Sequence, residues 1–97
     1  MPRKKKTRRV LQEPKFKGFR IFGKRANAES INLFVEEYEA IRLLDHEGLK
    51  QEAAAVKMNI SRPTLTRIYE TARQKIAQSI TEGLNLRIAG GNYSLVS

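Results

Sequence analysis

Four side chains suited to reading a nucleic acid fall close together in the chain: Arg62, Thr64, Thr66 and Arg67. An arginine can donate two hydrogen bonds to one guanine, and a threonine can offer a hydroxyl to phosphate or a methyl to thymine. Arg73 and Lys75 follow at a distance suited to backbone phosphates. Projected at ~100° per residue, Leu65, Ala72 and Ile76 share one side of a helix. Pro63, Thr66, Arg67, Glu70 and Gln74 point away from it, while Arg62 and Thr64 flank the first turn. Base edges are read mainly by the N-terminal turns of such a helix, which makes Arg62, Thr64, Thr66 and Arg67 the base-reading candidates. The competing reading of Arg67 is a solvated charge paired with Glu70, worth only a few tenths of a kcal/mol. Gln51 stays open between a phosphate hydrogen bond and a plain surface role.

Such a helix needs a support that holds it clear of the protein. Ser61 has the residue type of an N-cap, Pro63 suits a first turn, and the pattern runs to about Glu82 with Gly83 as its stop. Its apolar stripe is Leu65, Ile68, Tyr69, Ala72, Ile76 and Ile80. A shorter helix over about Lys50 to Met58 precedes it, with Ala53, Ala54 and Ala55 as a small-residue face for close approach. Asn59 between them tolerates a left-handed turn, and Ile60, Leu65 and Ile68 can plug the angle between the two rods. These are the requirements of a helix-turn-helix. An ordinary helical hairpin is the alternative. An earlier helix, roughly Val35 to Glu47, places Val35, Tyr38, Ile41 and Leu44 at helical spacing and ends before Gly48. Glu36, Glu37 and Glu39 sit in its first turn, where carboxylates favour the helix dipole. It is too acidic to face phosphates and is expected to be scaffold.

The flanks carry weaker signals. Ser30–Leu33 reads as extended, Leu86-Arg87-Ile88 alternates as a strand would, and Phe19-Arg20-Ile21 is a short candidate strand. Phe16, Phe19 and Phe22 are expected to pack a small satellite core, and residues 1–9 to be disordered until bound. The predicted fold class is mainly α: a three-helix helix-turn-helix core with short flanking β-strands and a basic, flexible N-terminal arm. Residues 1–25 form the arm and a short extended segment, and residues 26–97 form the domain with its C-terminal strand. No internal repeat is visible.

Charge supports the same direction. The chain has 97 residues and a formal net charge of +9. Residues 1–25 hold eleven Lys or Arg against the single acid Glu13, while the remainder is almost neutral. A neutral body with a basic arm suits docking on a polyanion, although a solubilising tail has the same composition. Arg3, Lys4, Lys5, Lys6, Arg8 and Arg9 are the phosphate candidates of the arm, adding affinity rather than specificity. With no cysteine and one histidine, disulfides, thiol chemistry and an ordinary zinc cage are not expected. Nothing approaches the ~20 apolar residues of a membrane span. A cytoplasmic, nucleoid-associated protein without cofactor, metal or small-molecule ligand is expected.

The motifs also resemble a known family. Glu37-Tyr38-Glu39-Ala40-Ile41-Arg42-Leu43-Leu44-Asp45, Glu47-Gly48-Leu49, Ser61-Arg62-Pro63-Thr64, Ala72-Arg73-Gln74-Lys75 and Gly90-Gly91 resemble the DUF one-three-four family of small prokaryotic proteins. Arg8-Arg9-Val10 and Pro14 extend the resemblance over nearly the whole chain. The resemblance implies DNA binding through a helix-turn-helix similar to region four of sigma-seventy factors, in the winged-helix-like superfamily. Members often carry a cysteine just after the Arg-Arg-Val string, where this chain has Leu11, so no role of that cysteine transfers. Some carry a further C-terminal domain resembling an iron–molybdenum cofactor-binding module, which is not expected in this sequence ending at Ser97.

Catalysis is not expected. His46 suits the C-terminal end of a helix dipole, Tyr69 lies in an apolar stripe, and adjacent carboxylates on a helix point in different directions. Sequence-specific binding of double-stranded DNA, in transcriptional regulation, is therefore the leading expectation. An RNA- or ribosome-associated protein is one rival, for which exposed stacking aromatics would speak. A protein-interaction scaffold is the other. A homodimer seam over Ile76–Ile80 and the Leu86–Ile88 strand is compatible with DNA binding, because it would present two recognition helices.

Overall fold

The protein is described by a computed structural model over residues 7–23 and 28–96. Among the described residues three strands precede three α-helices and two strands follow them: β1 (Arg8–Val10), β2 (Gly18–Phe19), β3 (Ser30–Leu33), α1 (Val35–Ile41), α2 (Gln51–Met58), α3 (Arg62–Glu82), β4 (Asn85–Ile88) and β5 (Tyr93–Leu95). The architecture is mixed α and β, with the helices holding most of the ordered backbone. No helix among the described residues is long and apolar enough to cross a membrane.

The strands draw the two ends of the chain onto the helices. Parallel β3 and β4 pair from Ser30 opposite Asn85 to Leu33 opposite Ile88, and antiparallel β2 adds to the other edge of β4. All three helices lie in the crossover between β3 and β4, as a parallel pair requires a long connection. Asn85 ties the sheet's margins: its Oδ1 accepts from the Ile21 N–H at 2.9 Å and its Nδ2 donates to the Ala28 carbonyl at 3.3 Å. β1 and β5 form a separate parallel pair. Arg8 and Arg9, expected within a disordered segment of residues 1–9, thus belong to a strand that ends at Val10. Val10 anchors them, fully buried beside Leu33, Val35, Ala72 and Ile88. The strand expected at Phe19–Ile21 begins one residue earlier and stops at Phe19, because the Ile21 N–H goes to the Asn85 side chain instead of a backbone carbonyl of β4.

The first helix reaches close to its predicted end, but not as a uniform rod. After Ile41 the backbone widens into a π-helical turn, Arg42–His46, where the Glu47 N–H donates to the Arg42 carbonyl at 2.9 Å. Gly48 and Gly83 have φ of +74° and +70° just past their helices, the left-handed conformation that suits a residue without Cβ. A second apolar cluster of Ala40, Leu43, Ala54, Ala55, Met58 and Leu65 lies between α1, α2 and α3. Helix α1 therefore serves both cores, one with each side.

The acids at its start do more than face a dipole, and of the three only Glu36 and Glu37 lie in the first turn. Glu36, Glu37 and Glu39 are all buried, and each carboxylate holds a different part of the chain. Glu36 accepts from the Asn92 N–H at 3.2 Å, ahead of β5. Glu37 accepts from the Phe34 N–H at 2.8 Å and from the Lys75 ammonium of α3 at 2.7 Å. Glu39, fully buried, accepts from the Leu11 N–H at 2.6 Å, from Arg42 Nε at 2.7 Å and from Arg42 Nη2 at 3.1 Å. Arg42 also meets Glu47. The hydrogen bond to Glu39, with attraction to both carboxylates, holds the Arg42 guanidinium even more firmly protonated than usual.

Candidate nucleic-acid interface

The surface around the start of α3 begins with the small side chains of α2. Ala54 and Ala55 are buried against the neighbouring helices, whereas Ala53, expected on the same face, is exposed. Asn59 ends α2 at φ 56° and ψ 46°, the one non-glycine residue with positive φ among those described. The Ile60 N–H then returns to the Ala55 carbonyl at 3.0 Å, satisfying one of the helix's free carbonyls. Ser61 starts α3 in an extended conformation, its Oγ accepting from the Thr64 N–H at 3.3 Å. Pro63 stands in the first turn, where no N–H is needed. Leu65 is completely buried beneath this turn, with Ile60 and Ile68 packed around it.

That packing leaves the opposite side of the first two turns in solvent. Arg62 and Arg67 are exposed, and Thr64 and Thr66 are partly so. The Arg67 guanidinium turns to Thr64 Oγ1 at 3.4 Å rather than to Glu70. Thr66 Oγ1 lies 3.4 Å from Gln51 Oε1, which brings Gln51 onto the same surface. Arg62 reaches Glu52 at 3.3 Å, but both side chains are more than half exposed, so the contact holds Arg62 weakly. Arg62, Thr64, Thr66, Arg67 and Gln51 thus form one patch.

The phosphate candidates divide. Arg73, one helical turn beyond Glu70, lies over the Tyr69 ring at 5.2 Å and meets Asp45 at 3.4 Å, and it stays largely exposed. Lys75 is not on this surface: its ammonium is bound to Glu37 and sits 4.2 Å from the centre of the Phe34 ring. Arg8 and Arg9 lie on β1. Arg3, Lys4, Lys5 and Lys6 lie outside the described residues.

Two groupings were not foreseen from sequence. Tyr69, assigned to the apolar stripe, points its hydroxyl at Asp45 Oδ1 (2.6 Å), so Asp45, Tyr69 and Arg73 bridge the π-turn to α3. Donation to Asp45 pushes the Tyr69 phenol above its ordinary value, with desolvation adding to the effect. The folded pKa is raised, so the stabilisation is fully present below the unfolded value and lost as pH climbs through the folded one. Tyr69→Phe is accordingly expected to cost about 0.5–1.5 kcal/mol at neutral pH. Denaturation of both proteins at pH 7 and again above the ordinary phenol value of 10.0 checks this, since the gap should shrink at the higher pH and a constant gap would contradict it. The second grouping is Lys17, Arg20 and Arg87, which line an open cleft of about 680 Å³ with Ser30 and Asn85. The pairing of Gly18 with Arg87 brings them together, and no local pattern announces it. Among the described residues no group of acidic or histidine side chains is placed to hold a metal ion.

Comparison with known proteins places the chain. The family described as "Protein of unknown function DUF134" matches residues 1–96. A UPF0251 protein of Pelotomaculum thermopropionicum is 50% identical over 97 residues, covering 99% of this chain and 74% of that one. A UPF0251 protein of Halothermothrix orenii is 48% identical over 96 residues, covering 98% of this chain and 71% of the relative. No solved structure matches. With a family match along almost its full length and relatives near one-half identity, the chain belongs to the DUF134 family.

Proposed function

We propose that α2, the Asn59–Ser61 turn and α3 act as a helix-turn-helix that binds double-stranded DNA in a sequence-specific manner, as a transcriptional regulator at the nucleoid. One observation carries this reading. Arg62 and Arg67 stand in solvent on the N-terminal turns of a capped 21-residue helix whose other face is fixed by buried Leu65 and Ala72. A rod propped in this way can enter a major groove without refolding, and two guanidinium groups then meet base edges. The acids of α1 are turned inward onto Leu11, Lys75 and Asn92, which removes repulsion that exposed carboxylates would exert on phosphates.

The basic N-terminal segment contributes affinity in this account. Removing residues 2–6 deletes four cations and leaves β1 intact. The variant should bind every duplex more weakly and alike, and its log–log salt slope should flatten by about 0.9 for each phosphate that is no longer neutralised. Fluorescence anisotropy of labelled duplexes across a salt series measures both quantities. Loss of sequence preference with an unchanged slope would reverse the division of labour between segment and helix. Absence of duplex binding by the intact chain at low salt would refute the function itself.

A further inference from the structure

The apolar stripe of α3 does not stay inside the protein. Leu65 and Ala72 are buried, Ile76 is partly covered, and Ile80 is 78% exposed. Beside it stand three phenylalanines that the sequence had assigned to a satellite core: Phe16 at 67%, Phe19 at 59% and Phe22 at 101% exposure. These residues border a run of shallow depressions. One of about 490 Å³ lies between Phe19, Phe22, Ile80 and Leu84. A second, of about 640 Å³, is floored by Ile41, Ile76, Ala77 and Ile80. A third, of about 200 Å³, lies between Phe16, Phe19, Tyr38 and Ile76. One face therefore carries both protruding phenyl rings and apolar hollows able to receive them.

We propose that this face is the seam of a two-fold homodimer, with a second copy of the chain as its occupant. A two-fold interface needs one surface that complements itself, and knobs beside hollows meet that need. The area is sufficient. At these exposures the four side chains present on the order of 600 Å² per protomer, taking roughly 200 Å² for each. Complete burial of these side chains in both copies would remove about 1,200 Å², the lower edge of stable interfaces, with the rim additional. The position of the seam differs from the one read in sequence, because Ile88 is buried in the protein's own core and only the α3 half remains available.

The seam's place on α3 sets a distance, and this part rests on the DNA-binding reading. Ile76 and Ile80 lie roughly 14–20 Å along the helix from Arg67 at about 1.5 Å per residue. Two α3 helices running in opposite directions across the seam place their Arg67 residues roughly 30–40 Å apart. Half-sites one turn apart on a duplex are separated by about 34–36 Å. The dimer thus selects an inverted repeat with centres about 10 base pairs apart. Lys15, Lys17 and Arg20 flank the seam and are exposed, so like charges oppose association and salt should tighten it.

Sedimentation equilibrium of the full chain at low and high salt tests the seam without DNA. The expected result is a dimer that strengthens with salt, and a monomer for both Ile80→Glu and Phe22→Asp. Both positions are in solvent, so the variants should keep wild-type circular dichroism. A wild-type chain that stays monomeric at high concentration, or folded variants that still dimerise, would overturn the proposal. Binding of oligo-dT by a monomeric wild type, lost in Phe22→Asp, would instead give the phenyl rings to single-stranded nucleic acid. On duplexes, monomeric Ile80→Glu should keep half-site recognition and lose the spacing preference. Loss of half-site recognition by the wild type too would be a failure of the DNA reading, separable from failure of the seam.

Discussion

Replacing Glu39 with alanine is expected to remove about 3–5 kcal/mol from folding stability, the usual penalty for breaking a buried charge pair by taking away one partner. Glu39 is fully buried and receives three donors, two from Arg42 and one from the Leu11 backbone. Its removal leaves the largely buried Arg42 guanidinium with Glu47 alone and strands an N–H at the end of β1. A domain of this size holds only about 5–15 kcal/mol in total, so the melting temperature should fall by roughly 15–30 °C. Glu39→Gln should cost less than alanine, because its amide oxygen can still accept from Leu11 and Arg42 Nη2; the loss that remains comes from its NH₂, which meets Arg42 Nε donor against donor. A Glu39→Leu, Arg42→Met pair should recover only part of the loss, since apolar packing relieves the orphaned charge but cannot accept from Leu11. Denaturant titration of the three variants checks the order. A loss below about 1 kcal/mol in Glu39→Ala would show that the acidic turn is not what fastens the N-terminal strand.

Arg67→Ala carries the second large effect, and it should appear in binding alone. The side chain is exposed and its guanidinium meets Thr64 only at 3.4 Å, so stability should stay within about 0.5 kcal/mol of wild type. If Arg67 holds a base bidentately, affinity for the best duplex should drop by about 1–3 kcal/mol, roughly 5- to 150-fold. Affinity for unrelated duplexes should barely change, because phosphate contacts elsewhere persist. Equal weakening on all sequences would demote Arg67 to a phosphate contact. No weakening at all would remove it from the interface.

The helices and the turn between α2 and α3 were legible because their signals are local. Ser61 caps its own helix, Asn59 takes the left-handed conformation its side chain tolerates, and Gly83 ends α3. The strands at the chain ends were not. Arg8-Arg9-Val10 reads as a charged tail until Tyr93–Leu95, more than eighty residues later, supplies its partner. The same holds for Glu36, Glu37 and Glu39, whose donors at Asn92, Lys75 and Leu11 lie far away in sequence. Lys75 looked like a phosphate ligand for this reason: the spacing along α3 was visible and Glu37 was not. The exposed phenylalanines mark the opposite limit. Apolar type predicts burial within the chain that carries it, and cannot tell that core from a surface shared with another molecule.

Selection of random duplexes by the wild type and by Arg67→Ala in parallel, with an RNA pool competing, tests the proposed recognition most directly. The wild type should enrich a defined duplex motif over the RNA, and the variant should lose preference at one position in each half of it. Enrichment of RNA, or the same duplex motif from both proteins, would contradict the assignment of base reading to the first turns of α3.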